Sequence, residues 1–259
     1  MSIEALPFVN WIFWAALGAG TLLVVGHAEL RGGTTVGYRI LMAWLVLVCA
    51  AVLVVSDLNL PADAAAAATT GLRRPLVLAF AAGSLAYVVA SHARWPRSWL
   101  AVATGGVGLA ALATLALAGG TDAPLLFAAQ LLITALVLGT VNAAMLLGHW
   151  YLVTPQLSPA PLRRMMGMHV AALVLQAAAF ALALLVVGTE PLRGDIAWLT
   201  WLRLAVGILL PIGITGLAYL ASRAASLQAS TGLLYIGLAL VMAGSIAGAS
   251  LGYLTGVPV

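Results

Sequence analysis

Apolar residues in this chain gather into eight long runs, at about residues 8–28, 38–56, 75–93, 99–119, 124–152, 164–187, 197–222 and 231–254, divided by short polar or proline-marked links. Each run approaches the roughly 20 residues with which an α-helix crosses the hydrocarbon layer of a bilayer. None alternates apolar with polar positions over roughly 10 residues, as a membrane β-strand does. The pattern predicts an all-α, polytopic integral membrane protein of about eight transmembrane helices in a single domain spanning residues 1–259. The first run follows Glu4 with no basic segment ahead of it and no small-residue cleavage site, so it reads as a retained helix rather than a signal peptide.

Composition agrees: 64% of the 259 residues are hydrophobic and 7% charged, with a mean hydropathy of +1.13. No soluble domain hides that much apolar surface. The single cysteine, Cys49, falls mid-run, so it forms no intramolecular disulfide and supplies no metal cluster by itself.

The cations give an orientation. All 11 are arginines. With eight spans, the links after helices one, three, five and seven share a side, and they carry Arg31, Arg39, Arg94, Arg97, Arg163, Arg164 and Arg223 against one acid, Glu29. The opposite side carries Arg73, Arg74, Arg193 and Arg203 among Glu4, Asp57, Asp63, Asp122, Glu190 and Asp195. Basic residues in short loops mark the cytoplasmic side, which predicts both termini extracytoplasmic in a bacterial-type inner (plasma) membrane. The net charge of +4 is then a topology signal. Cations spread along a membrane face do not form a nucleic-acid footprint.

The four histidines fall in one layer on the arginine-rich side. His27 and His92 end helices one and three, and beside Trp95 and Trp99 they read as interface residues, since amphipathic rings favour the headgroup region. His149 and His169 lie at similar depth on neighbouring helices, joined by a link broken by Pro155, Pro159 and Pro161. Asn142 precedes His149 by seven residues and Gln176 follows His169 by seven. That spacing is close to two turns, so each pair shares a helix face. Two inward polar stripes of this kind suit a quinone headgroup, a proton path, or one b-type haem with His149 and His169 as axial ligands to its iron. Plain interfacial packing of the rings is the competing reading. With no histidine near the other face, a transmembrane haem pair is disfavoured. A zinc or iron site from the four histidines, His27 and His92 included, lacks any short-range ligand spacing.

Arg203, about two turns into helix seven, is a site hypothesis because a cation at that depth is expensive; snorkelling to the surface is its alternative. Arg73 and Arg74 read as binding lipid headgroups or helping to dock a partner. Gly244, Gly248 and Gly252 at every fourth position let another helix approach helix eight closely. Pro211 with Gly207, Gly213 and Gly216 should bend helix seven. The link 57–74, with its alanine run Ala64 to Ala68, has room for a short surface helix.

Several stretches carry a resemblance. The opening helix from Asn10 to Leu23 with its Gly18-Ala19-Gly20 patch, the Trp201-Leu202-Arg203 start and Leu209-Leu210-Pro211 of helix seven, and the end of helix eight, Gly252-Tyr253-Leu254-Thr255-Gly256, are similar to the NrfD-like membrane-anchor subunits of the polysulfide reductase and DMSO reductase type. Where the last helix of such anchors often holds an acid and an arginine, this chain has Ser245 and Ala249. The resemblance implies a non-catalytic or quinone-reactive subunit of a respiratory oxidoreductase complex, taking quinone as substrate for an iron–sulfur or cytochrome partner. Arg203 would then contact a quinone oxygen. A permease for a small solute or metal ion, and a cofactor-free assembly subunit, remain the other readings.

Overall fold

The computed structural model describes residues 6–61, 68–95, 97–118, 123–154 and 157–256. Glu4, Asp63, Asp122, Pro96, Pro155 and the residues Ala64 to Ala67 of the expected surface helix lie outside them. Among the described residues there is no strand, and eight helices are long and apolar enough to cross a membrane. They are α1 (Leu6–Arg31), α2 (Val36–Leu58), α3 (Thr70–His92), α4 (Ser98–Leu117), α5 (Pro124–Val153), α6 (Ala160–Val187), α7 (Ala197–Arg223) and α8 (Leu227–Thr255). The chain is a multi-pass membrane protein whose outer faces meet lipid.

The helices outrun the apolar segments because polar ends still satisfy the helical hydrogen-bond ladder. α3 begins at Thr70 and carries Pro75 inside it, whereas α6 begins at Ala160 with Pro161 in its first turn, where the missing N–H costs nothing. α7 is irregular in the stretch where a bend is expected. Residues Leu202–Leu209 are wound as a π-helix between two α-helical stretches, immediately before Pro211.

Packing divides the bundle into two rings. In the first, α1 packs on α2 and α4, and α3 on α2 and α4; in the second, α5 packs on α6 and α8, and α7 on α6 and α8. The rings join mainly along α1 and α5. At the Gly20–Gly139 crossing that seam has no room for a side chain. A Cβ on Gly20 would run into the carbonyl of Ala135, and one on Gly139 would stand 2.6 Å from the backbone nitrogen of Thr21. Small residues at a crossing permit such an approach in a solvent where apolar burial drives little association. The glycine repeat of α8 works similarly: Gly244 meets Gly207 on the π-helical turn, Gly248 meets the Arg203 guanidinium, and Gly252 meets the ring of Phe127.

Ion pairs tie each end of the first ring. At the acid-rich end Asp57 is buried and accepts from Arg73 Nε at 2.7 Å, Arg74 Nε at 3.1 Å and Trp11 Nε1 at 3.0 Å. Arg73 is therefore engaged inside the bundle rather than held out for lipid headgroups or a partner, contrary to its sequence reading, whereas Arg74 shares the same carboxylate with its side chain 41% exposed. At the other end Glu29 takes Arg39 at 3.5 Å, Arg97 at 3.3 Å and the Tyr87 hydroxyl at 2.9 Å.

Candidate functional site

α5 is almost wholly apolar, so its polar side chains must find partners on neighbouring helices. Four buried ones do. Gln130 accepts from Arg203 Nη2 of α7 at 2.8 Å, Thr134 accepts from Gln176 Nε2 of α6 at 3.4 Å, Thr140 Oγ1 lies 3.0 Å from His169 Nδ1 of α6, and Asn142 donates to Thr21 of α1 at 3.0 Å. Gln130 and Thr134 are four apart and share a face, so Arg203 and Gln176 meet neighbouring levels of one polar seam.

Arg203 is 4% exposed and makes no ion pair among the described residues. It does not snorkel. Its guanidinium lies where a side chain on Gly248 would be, and its Nε has no hydrogen-bond partner among the described residues. Gln130 Nε2 and Gln176 Oε1 are also without one.

His169 is fully buried. The Thr140 hydroxyl donates to the Leu136 carbonyl at 2.7 Å, which leaves its oxygen as acceptor toward the ring. That pattern assigns the imidazole proton to Nδ1 and leaves Nε2 a bare acceptor, with no partner among the described residues.

His149 goes elsewhere. Its ring is exposed and its Nδ1 lies 3.0 Å from the hydroxyl of Tyr235 on α8, with the two rings edge to face at 6.2 Å. The reason is helical phase. From Thr140, which faces His169, to His149 is nine residues, about two and a half turns, so the two lie on opposite faces of α5. His149 and His169 therefore differ in level, by roughly 13 Å of rise along α5, as well as in face, and the axial haem pair expected from them is not built. Asn142 is likewise directed at α1 rather than continuing a stripe from His149. Among the described residues no group of three or more His, Cys, Asp or Glu is placed to hold a metal ion.

His92 is exposed, with Nδ1 on the Val88 carbonyl at 3.0 Å and its ring edge-on to Trp44, as an interface residue would be. His27 differs. It lines a groove of about 520 Å³ in the crevice between the two rings, flanked by α1 and Val102 of α4 on one side and by α5 and α6 on the other. That volume falls in the range of small-molecule sites. Its wall is apolar, with Leu23, Val24, Leu136, Met168 and Leu175 among the lining residues. Among the described residues two polar side chains line it, His27 from α1 and Thr140 from α5. Thr140 is thus shared between the groove and buried His169.

A second cavity of about 260 Å³ shares His27 and Met168 with the groove and continues it toward Arg31, Pro161 and Arg164. Together they form one cleft, apolar inside and basic at its mouth.

No family model, curated protein or solved structure matches the chain. Sequence reading had singled out His169, Gln176 and Arg203, which the fold buries along α5 and its neighbours. It missed Thr140, Gln130 and Thr134, although polar residues inside the apolar α5 run were a visible signal. Where the sequence ranks His27 below His149, the fold puts His27 on the wall of the cleft and leaves the His149 ring exposed.

Proposed function

We propose that this protein is the quinone-reactive membrane subunit of an electron-transfer assembly. The observation that carries the reading is the groove's lining: an apolar shaft with two polar side chains, His27 and Thr140, contributed by different helices. A quinone ring is flat and lipophilic, and its two carbonyl oxygens accept one hydrogen bond each. The imidazole of His27 makes no hydrogen bond within the described residues, and the buried Thr140 hydroxyl would exchange the Leu136 carbonyl for a ligand oxygen by rotating about Cβ–Oγ1. Such a lining favours a lipophilic ligand over the hydrated solute of a permease.

Reducing a quinone takes two electrons and two protons. The electrons would come from an iron–sulfur or haem centre of a partner subunit. Thr140 and His169 would form a relay toward the groove: a proton taken up at Nε2 of His169 releases the Nδ1 proton to the Thr140 oxygen, whose own hydroxyl proton passes to the quinone oxygen. The positive-inside rule would put the arginine-rich end of the cleft in the cytoplasm of a bacterial-type membrane and both termini outside.

Thermal unfolding in detergent with decylubiquinone or menadione tests the reading, since a ligand that binds only the folded state raises Tm with concentration. Thr140→Val and His27→Leu should each weaken the apparent affinity about two- to tenfold, the scale of one hydrogen bond worth ~0.5–1.5 kcal/mol. A quinone-dependent shift of the same size in both variants would remove the headgroup from this groove.

A further inference from the structure

The mouth of the cleft has a charge that a quinone does not use. Arg31, at the end of α1, and Arg164, in the first turns of α6, come from distant parts of the chain to line the same cavity. Both are exposed, and neither makes an ion pair among the described residues. The acid nearest in sequence, Glu29, is already taken by Arg39, Arg97 and Tyr87, and its side chain is only 5% exposed. The N-terminal turn of α6 adds its own positive end, since Pro161 lines the mouth beside Arg164. The site is therefore cationic from two directions and opens into an apolar shaft. That combination matches a molecule with an anionic head and an aliphatic tail, and basic pockets between membrane helices bind phosphate headgroups.

We infer that the cleft binds an anionic phospholipid, with its phosphate between Arg31 and Arg164 and one acyl chain in the shaft past His27 and Met168. The groove's lining of Leu, Val, Met and Ala side chains suits a chain, and His27, which lines both cavities, marks the level where head gives way to tail. The lipid and a quinone headgroup would then exclude each other from the shaft. The lipid site stands without the quinone reading, because it needs only the mouth's charge and the shaft's lining.

The test is lipid retention. The full-length protein is reconstituted with equal amounts of phosphatidylglycerol and phosphatidylcholine of the same chains, washed in neutral detergent, and its bound lipid identified by mass spectrometry. The wild type should retain phosphatidylglycerol preferentially. Arg31→Gln with Arg164→Gln should cut that preference roughly thirtyfold, about fivefold per guanidinium, the scale of a basic side chain at an anionic lipid surface. Arg31→Lys with Arg164→Lys should keep most of it, and so should Arg223→Gln, an exposed arginine of the same end that lines neither cavity. Ala171→Trp, which fills the shaft from α6, should release the lipid with the mouth intact. Equal retention of both lipids, an unchanged preference in the double glutamine variant, or an equal loss in Arg223→Gln would each overturn the inference. Retention in Ala171→Trp would overturn the placement of the chain, and displacement by millimolar inorganic phosphate would reduce the site to one for the free ion. The double glutamine variant should keep its Thr140-dependent quinone shift, so that failure of either reading is visible without the other.

Discussion

Asp57→Ala should be among the most damaging single substitutions in the protein. Asp57 is 1% exposed, and Arg73, also 1% exposed, is bound to it at 2.7 Å with Trp11 Nε1 on the same oxygen. Removing the carboxylate takes the Asp57 charge away from a guanidinium buried between α1, α2 and α3. Breaking a buried pair from one side costs about 3–5 kcal/mol, much more than the pair itself contributes. The expected result is a large fall in Tm and in the monodisperse fraction after extraction. Asp57→Leu combined with Arg73→Leu should recover most of the loss, because neither charge is then stranded. An unchanged Tm in Asp57→Ala would mean that Arg73 reaches water or lipid phosphate, as its sequence context had suggested.

The second large effect belongs to the seam between the rings. Gly20→Ala adds only a methyl group, but it points into the Ala135 carbonyl on α5. Backbone cannot give way as a long side chain can, so α1 and α5 must move apart. Overpacking of this kind costs about 1–3 kcal/mol and occasionally more. Because the groove lies beside the same seam, Gly20→Ala should also weaken quinone-dependent stabilisation. Gly71→Ala is the matching control, since nothing lies within 4 Å of the position where its Cβ would be. If Gly20→Ala unfolds at the wild-type temperature, the close α1–α5 crossing is wrong.

Those two sites show what a single sequence discloses. The eight spans were legible because membrane crossing is a one-dimensional property of length and apolarity. The α8 glycines were legible too, since a four-residue repeat has only one geometric use on a helix. Arg203 and Gln176 stood out as costly polar residues in apolar runs, and both proved buried.

What the sequence did not disclose was azimuth. Helix ends alone put His149 and His169 at similar depth, yet nine residues of α5, two and a half turns and roughly 13 Å of rise, separate His149 from Thr140, which meets His169. The seven-residue spacing of Asn142 and His149 failed for a related reason. α5 is packed against α1, α6 and α8, so one face of it meets different helices at different levels. The pairing of acids with arginines was hidden as well, because Glu29 and Asp57 each collect two cations from other helices or links. Only with those pairs removed do Arg31 and Arg164 stand out as uncompensated.

In the function proposed above, a quinone headgroup enters the crevice between the rings and lies against His27 and Thr140. Photolabelling with an azido-quinone, followed by peptide mapping, tests it most directly. The predicted result is adducts on the groove-lining stretches of α1 around Leu23 to Leu30 and of α6 around Met168 to Leu175, suppressed by excess unlabelled quinone. Adducts confined to α7 and α8 or to the lipid faces of α2 and α3, or adducts that excess quinone leaves untouched, would contradict it.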